Sequence, residues 1–157
     1  MKLLAKIILF SLLAGIAWLT YASLRLAYWD NRVREICERE GGVQILEHIS
    51  LTREVYESMP RVGGRVAGYA PQELTRPEIP TYGEFRQEVI RKDSPRVWKT
   101  FAIMVKKANG IPVARWLEVT RVGGDPITVD HPSSFTCPSP EEITEELSKV
   151  FVREAVK

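Results

Sequence analysis

The chain has 157 residues, 45% of them apolar and 27% charged, which suits one folded domain. That composition excludes a disordered tail and a multi-span membrane protein. Two of its 22 basic residues, Lys2 and Lys6, lie in the leader; the remaining 20 balance 20 acidic ones, so the domain lacks the one-sign field that draws in nucleic acid.

The first element is a leader. Met1 to Lys6 carries two lysines, and Ile7 to Leu19 carries no charge. A short basic stretch before an apolar run has the form of an export signal. Leu3 to Ala22 is about 20 residues, enough at ~1.5 Å per residue to span a ~30 Å hydrocarbon core. Cleavage after Ala22, with Thr20 and Ala22 at the small-residue positions, is the competing reading. Apolar character continues through Leu24, Leu26 and Ala27, which favours an uncleaved span. Residues 1–23 are therefore read as a transmembrane anchor or signal segment, in contact with a bilayer through residues 3–22. Residues 24–157 are read as a single α+β domain. Lys6 would snorkel to one interface, with Trp18, Tyr21, Tyr28 and Trp29 near the other. Ser11 and Gly15, four apart, form a weak small-residue pattern for helix association. Arg25, Arg32, Arg34 and Arg39 follow the span, so the positive charges do not choose its orientation.

Helical spacing continues from Ala27 to Glu40 through Val33, Ile36 and Cys37, and Gly41-Gly42 ends it. Val43 to Ser50 has the β-branched character of one strand. Ser50 or Thr52 then caps a short helix running to Met59, before Pro60. Pro60 to Pro80 holds prolines at 60, 71, 77 and 80 with Gly63, Gly64 and Gly68, and reads as a long loop.

Strands follow at Glu84 to Arg91 and across Val97 to Val105. In the second, Val97, Phe101, Ile103 and Val105 share one face, with Trp98, Ala102 and Met104 on the other. Asn109-Gly110 predicts a tight hairpin turn into Val113 to Val122, and Pro112 belongs at a strand start or outer edge. About four mainly antiparallel strands result, and the apolar faces of the central one require cover on both sides. At the C-terminus, Ser139-Pro140-Glu141-Glu142 predicts a capped helix start. Ile143, Leu147, Val150 and Phe151 give that helix an apolar stripe, although Val150 to Val152 could instead open a last short strand. Arg61-Val62-Gly63-Gly64 recurs as Arg121-Val122-Gly123-Gly124, which reads as two glycine turns without duplication of a unit.

Cys37 and Cys137 are the only cysteines. An even pair in an exported domain reads as a disulfide, closing a loop of about 100 residues worth up to ~4.7 kcal/mol on the chain-entropy model. The alternative is two unrelated buried thiols in a cytoplasmic domain.

Asp130 to Pro138 is densest in reactive residue types. An enzymatic reading makes Ser133 or Cys137 a nucleophile with His131 as its base. Triads, however, assemble across a fold, and no glycine elbow accompanies these residues. A zinc set of Cys37, His48, His131 and Cys137 has suitable ligand types without the paired spacing of structural sites. No acidic pair is identifiable as an acid–base couple, and the glycine pairs lack the lysine and hydroxyl of a phosphate loop. Trp98 and Trp116, in strands, read as core.

Asn31-Arg32-Val33-Arg34-Glu35-Ile36-Cys37, Gly41-Gly42-Val43 and His131 through Pro138 resemble a family of small leader-bearing proteins of Gram-negative bacteria. Those carry a cysteine after the first helix and another in a Ser-Phe-x-Cys-Pro segment. The resemblance covers the two ends of the domain, and the hairpin between them only loosely. It implies the pairing of Cys37 with Cys137 and brings no activity, because none is assigned to that family.

The expectation from sequence is an inner-membrane, single-pass protein with a periplasmic domain that binds an envelope partner, without catalytic residues, cofactor or metal. A cleaved, periplasmic form is the alternative location. A hydrolase built on His131, or a cytoplasm-facing regulatory or protective protein, are the alternative functions.

Overall fold

The computed structural model describes residues 2–66, 79–127 and 131–154. In chain order these form α1 (Lys2–Glu40), β1 (Gly42–Ile45), β2 (Ile49–Leu51), α2 (Arg53–Ser58), β3 (Arg61–Val62) and β4 (Arg65–Val66). Then come β5 (Thr81–Arg91), β6 (Arg96–Lys106), β7 (Pro112–Val122), β8 (Ser134–Cys137), α3 (Pro140–Ser148) and β9 (Phe151–Arg153). The architecture is α+β, as the pattern of elements predicted.

The helix α1 is continuous for 39 residues, about 58 Å at 1.5 Å per residue. Its first half is exposed all round: Leu3, Phe10 and Ile16 are 73%, 76% and 53% accessible. It is long and apolar enough to cross a bilayer. Its second half turns Val33, Ile36 and Cys37 inward, and all three are buried.

The main sheet has five strands in the order β1-β7-β6-β5, with β8 also paired to β7. All its pairings are antiparallel. Because strand side chains alternate, the sheet has two distinct faces. Ala102, Met104, Ala114 and Trp116 join Ile143 and Leu147 of α3, with Leu51 and Phe151 from the parallel β2–β9 pair. Val97, Leu117 and Val119 instead pack against Val33 and Ile36 of α1. Each face is thus covered by a helix, which supplies the two covers that the apolar strands demanded.

The edge of β7 is shared end to end. β1 pairs with Ala114 to Leu117 and β8 with Val119 to Val122. Cys37 precedes β1 by a turn of chain and Cys137 ends β8, so both reach the seam between the two short strands. They form a disulfide with Cα atoms 5.9 Å apart. Gly41 is required there. A Cβ on it would lie 2.6 Å from the Cys37 carbonyl oxygen and 2.9 Å from the Cys37 sulfur.

Three expectations need correction. The single strand at Val43–Ser50 is two strands in different sheets. The Leu46 and Glu47 amides both donate to the Val113 carbonyl, which turns the chain off β7 before β2 pairs with β9. The sheet has a fifth strand, β8, whose proline-flanked sequence read only as loop. The Asn109-Gly110 turn is wider than a two-residue hairpin: the Lys106 amide donates to the Ile111 carbonyl, and Gly110 alone takes a positive φ, +70°.

At Gly63-Gly64, where both φ angles are positive, the tight hairpin does form, joining β3 to β4. The rest of the predicted Pro60–Pro80 loop, residues 67–78, lies outside the described residues. The C-terminal helix starts on a complete capping box, with Ser139 and Glu142 bonding each other's backbone amides. It stops at Ser148, so Phe151 belongs to β9.

Replacing both Cys37 and Cys137 with alanine should leave the fold intact and lower stability by about 2–5 kcal/mol. Denaturant unfolding of the oxidised protein and the double variant measures this; equal midpoints would show that the bridge contributes nothing.

Candidate functional site

The segment richest in reactive side chains is tied into the fold by hydrogen bonds and a disulfide. Arg121, at the end of β7 and 3% accessible, is held by an ion pair with Asp30 of α1 at 2.6 Å. Its Nη1 donates to the Gly123 carbonyl at 2.6 Å and to the Ser133 hydroxyl at 2.9 Å. The Ser133 amide in turn donates to Asp125 at 2.8 Å. A hydrogen bond from the Ser133 hydroxyl, followed by that backbone bond, outweighs partial desolvation and holds the Asp125 carboxyl below its ordinary range. The Ser133 oxygen therefore accepts from Arg121, and its backbone amide donates to Asp125.

The predicted base does not reach Ser133. His131 is exposed and makes no hydrogen bond to Ser133. Cys137, the other candidate nucleophile, is oxidised onto Cys37. The zinc set is also overturned. Its two sulfurs are bonded to each other, and His48 Nδ1 lies 2.9 Å from the Lys149 carbonyl oxygen. Among the described residues no group of three or more His, Cys, Asp or Glu side chains converges to hold a metal. Asp130 lies outside the described residues. Trp116 is core, as expected, whereas Trp98 is only half-buried.

The surface that stands out is formed by the main sheet itself. The α1 helix ends part-way across its face, and Glu40 is held there by Lys99 at 2.5 Å. Beyond that end lies a groove of about 560 Å³. Phe101, Ile103 and Leu117 supply apolar floor, with Glu40, Gln44 and Arg115 among its polar lining. Phe101 and Ile103 remain 39% and 38% accessible, and Arg115 is tied to Gln44 at 2.7 Å.

Next to the groove, β5 forms an outer edge of the sheet. Among the described residues no strand pairs with its far side. Every residue from Glu84 to Ile90 is exposed. Glu84, Arg86 and Glu88 oppose Ile103, Phe101 and Lys99 on the groove side. On the other face Phe85 meets Trp116 edge-on, with ring centroids 5.9 Å apart, across Ala102. An edge of this length presents backbone donors and acceptors to any extended chain that lies beside it.

Sequence reading missed both features. It placed β5 and β6 but could not show that β5 is outermost or that α1 stops short of Phe101. The usable sign was the polar alternation Glu84, Arg86, Glu88, which marks a strand wet on that face. Comparison with protein-family models, with curated proteins and with solved structures finds no match.

Arg121→Met should destabilise the protein by about 3 kcal/mol, because it leaves Asp30 against the sheet without its cation. Asp30→Asn in the same chain should recover part of that loss in denaturant titration; a purely additive double variant would exclude the coupling. The low carboxyl pKa of Asp125 adds a pH test. Its contribution is full above the unfolded carboxylate range and is lost as pH falls through the lowered folded value. Asp125→Asn should therefore flatten acid destabilisation in thermal melts from neutral to strongly acidic pH.

Proposed function

We propose that this chain is a single-pass inner-membrane protein, anchored by residues 3–22. Its periplasmic domain binds an extended segment of a protein partner along β5 and the adjoining groove. The observation that carries the binding reading is the 11-residue edge strand beside a groove floored by exposed Phe101 and Ile103. Binding by strand addition uses such an edge for backbone hydrogen bonds and neighbouring pockets for alternate side chains.

Two observations support the location and the non-enzymatic character. The Cys37–Cys137 bridge is of a kind that persists in oxidising compartments. Ser133 and Cys137, the candidate nucleophiles, are committed to a hydrogen-bond network and to that bridge.

The test combines thiol labelling with site-specific photo-crosslinking in intact cells. Cys37 and Cys137 should resist alkylation until reductant is added to denatured protein. A crosslinker at Gln87 or Ile103 should give one discrete protein adduct, absent when the probe is at Glu57 of α2. Ile103→Asp, combined with the Gln87 probe, should reduce the adduct at least several-fold. Free thiols would remove the compartment, and equal adducts from all three sites would remove the docking surface. A mature chain beginning near Ser23 would replace the anchor with a cleaved leader.

A further inference from the structure

We propose that the end of the sheet from which the apolar half of α1 projects binds the phosphate of an anionic phospholipid headgroup. This rests on the reading of residues 3–22 as a membrane span.

The direction of α1 places that end. Ala22 closes the apolar segment and is the first buried side chain of α1 among the described residues. Arg25, about 4.5 Å further along the axis, donates to the Ser94 carbonyl in the β5–β6 turn. Trp29, about 10 Å beyond Ala22, lies under the Arg91 guanidinium, 5.1 Å from it. The headgroup layer is roughly 5–8 Å thick on each side of the hydrocarbon core. The β5–β6 turn, at the level of Arg25, therefore stands within that layer.

At this end a hollow of about 310 Å³ opens between the β5–β6 turn and the chain that follows β7. Lys92, Ser94 and Arg96 line one side; Gly123, Gly124 and Pro132 line the other. Lys92 and Arg96 are exposed, and neither has an ion-pair partner among the described residues. Arg25 and Arg91 add two more cations beside the hollow, both donating to the Ser94 carbonyl. Arg91 Nε, moreover, is buried without a hydrogen-bond partner among the described residues. Two carboxylates oppose them: Asp93, exposed at the turn, and Asp125, in the hollow's wall and bonded to the Ser133 amide.

Among the described residues the balance is four cations against two anions, with Arg121 and Asp30 neutralising each other beside them, on a domain that is neutral as a whole. Two unpaired cations facing a shallow hollow match a phosphodiester that can accept from both. The adjoining leaflet supplies that group at high local concentration, which selects the lipid over free phosphate as occupant. Each cation near an anionic bilayer contributes about fivefold to association.

The experiment uses the full chain. Flotation with pure phosphatidylcholine liposomes first tests the span; native mass spectrometry from mixed phosphatidylcholine–phosphatidylglycerol micelles then reads bound lipid. The wild type should float with phosphatidylcholine and retain phosphatidylglycerol preferentially. Lys92→Ala/Arg96→Ala should float equally well and lose that preference by about 25-fold, whereas Arg53→Ala on α2 should keep it. Circular dichroism checks that the double variant is folded, and Lys92→Gln with Arg96→Gln provides a second pair that keeps side-chain length.

Failure to float removes the span and, with it, this proposal. Flotation without a phosphatidylglycerol preference, or a preference unchanged in both double variants, overturns the headgroup site alone. Displacement of the lipid by millimolar inorganic phosphate would show a general phosphate site and overturn the lipid assignment.

Discussion

The packing of the second half of α1 on the face of β6 and β7 is the contact on which the rest of the structure depends. Val33 and Ile36 meet Val97, Leu117 and Val119 there, and burial of each such side chain contributes about 1.5–3 kcal/mol. Two unlike clamps hold the same helix. The disulfide fixes Cys37 at the seam between β1 and β8, and Asp30 takes the buried charge of Arg121 at the end of β7. Because α1 has no break between Leu3 and Glu40, this packing also fixes how the apolar segment leaves the domain. A hinge between the apolar half and the domain would need an interrupted helix, and α1 is continuous.

The clamps show what the densest cluster of reactive residues does for the fold. Asp125, Ser133 and Cys137 come from the connection between β7 and α3, which also carries β8. Arg121 gathers the Gly123 carbonyl and the Ser133 hydroxyl, while Asp125 takes the Ser133 amide. Serine, aspartate and histidine close in sequence resemble catalytic parts because the same hydrogen-bonding capacity serves both ends. The distinction lies in whether a base reaches the nucleophile. Here His131 does not pair with Ser133, and Cys137 is oxidised onto Cys37.

Legibility followed the range of the interaction. The helix start at Ser139 was readable because its capping box closes within four residues. Gly41 was readable as a stop, although its tight fit against Cys37 was not. The three long strands were readable from alternation, and the disulfide from cysteine count and leader. The break between β1 and β2 was not, since it is imposed by the Val113 carbonyl on the neighbouring strand. Nor was β8, four residues between prolines whose pairing partner, the second half of β7, is supplied by the fold. The groove was the least accessible of all, because it exists only where one helix ends against a sheet that continues.

The geometry also constrains what could add a strand to β5. Pairing β5 antiparallel with β5 of a second copy would place a two-fold axis perpendicular to the sheet. Arg86 could then meet Glu88 of the partner subunit around Gln87, which makes such a dimer attractive on charge alone. Yet α1 lies against the sheet face, so this axis would reverse its direction and point the two apolar segments oppositely. Under the anchoring proposed above, two chains in one bilayer cannot satisfy both conditions. β5 itself runs back toward the end from which α1 projects, since Arg91 reaches Trp29 while Thr81 pairs with Lys106 at the far end. A segment rising out of the same membrane would therefore meet β5 antiparallel, the favoured sense for an added strand, and reach the groove about 27 Å along α1 from Ala22, clear of the headgroups.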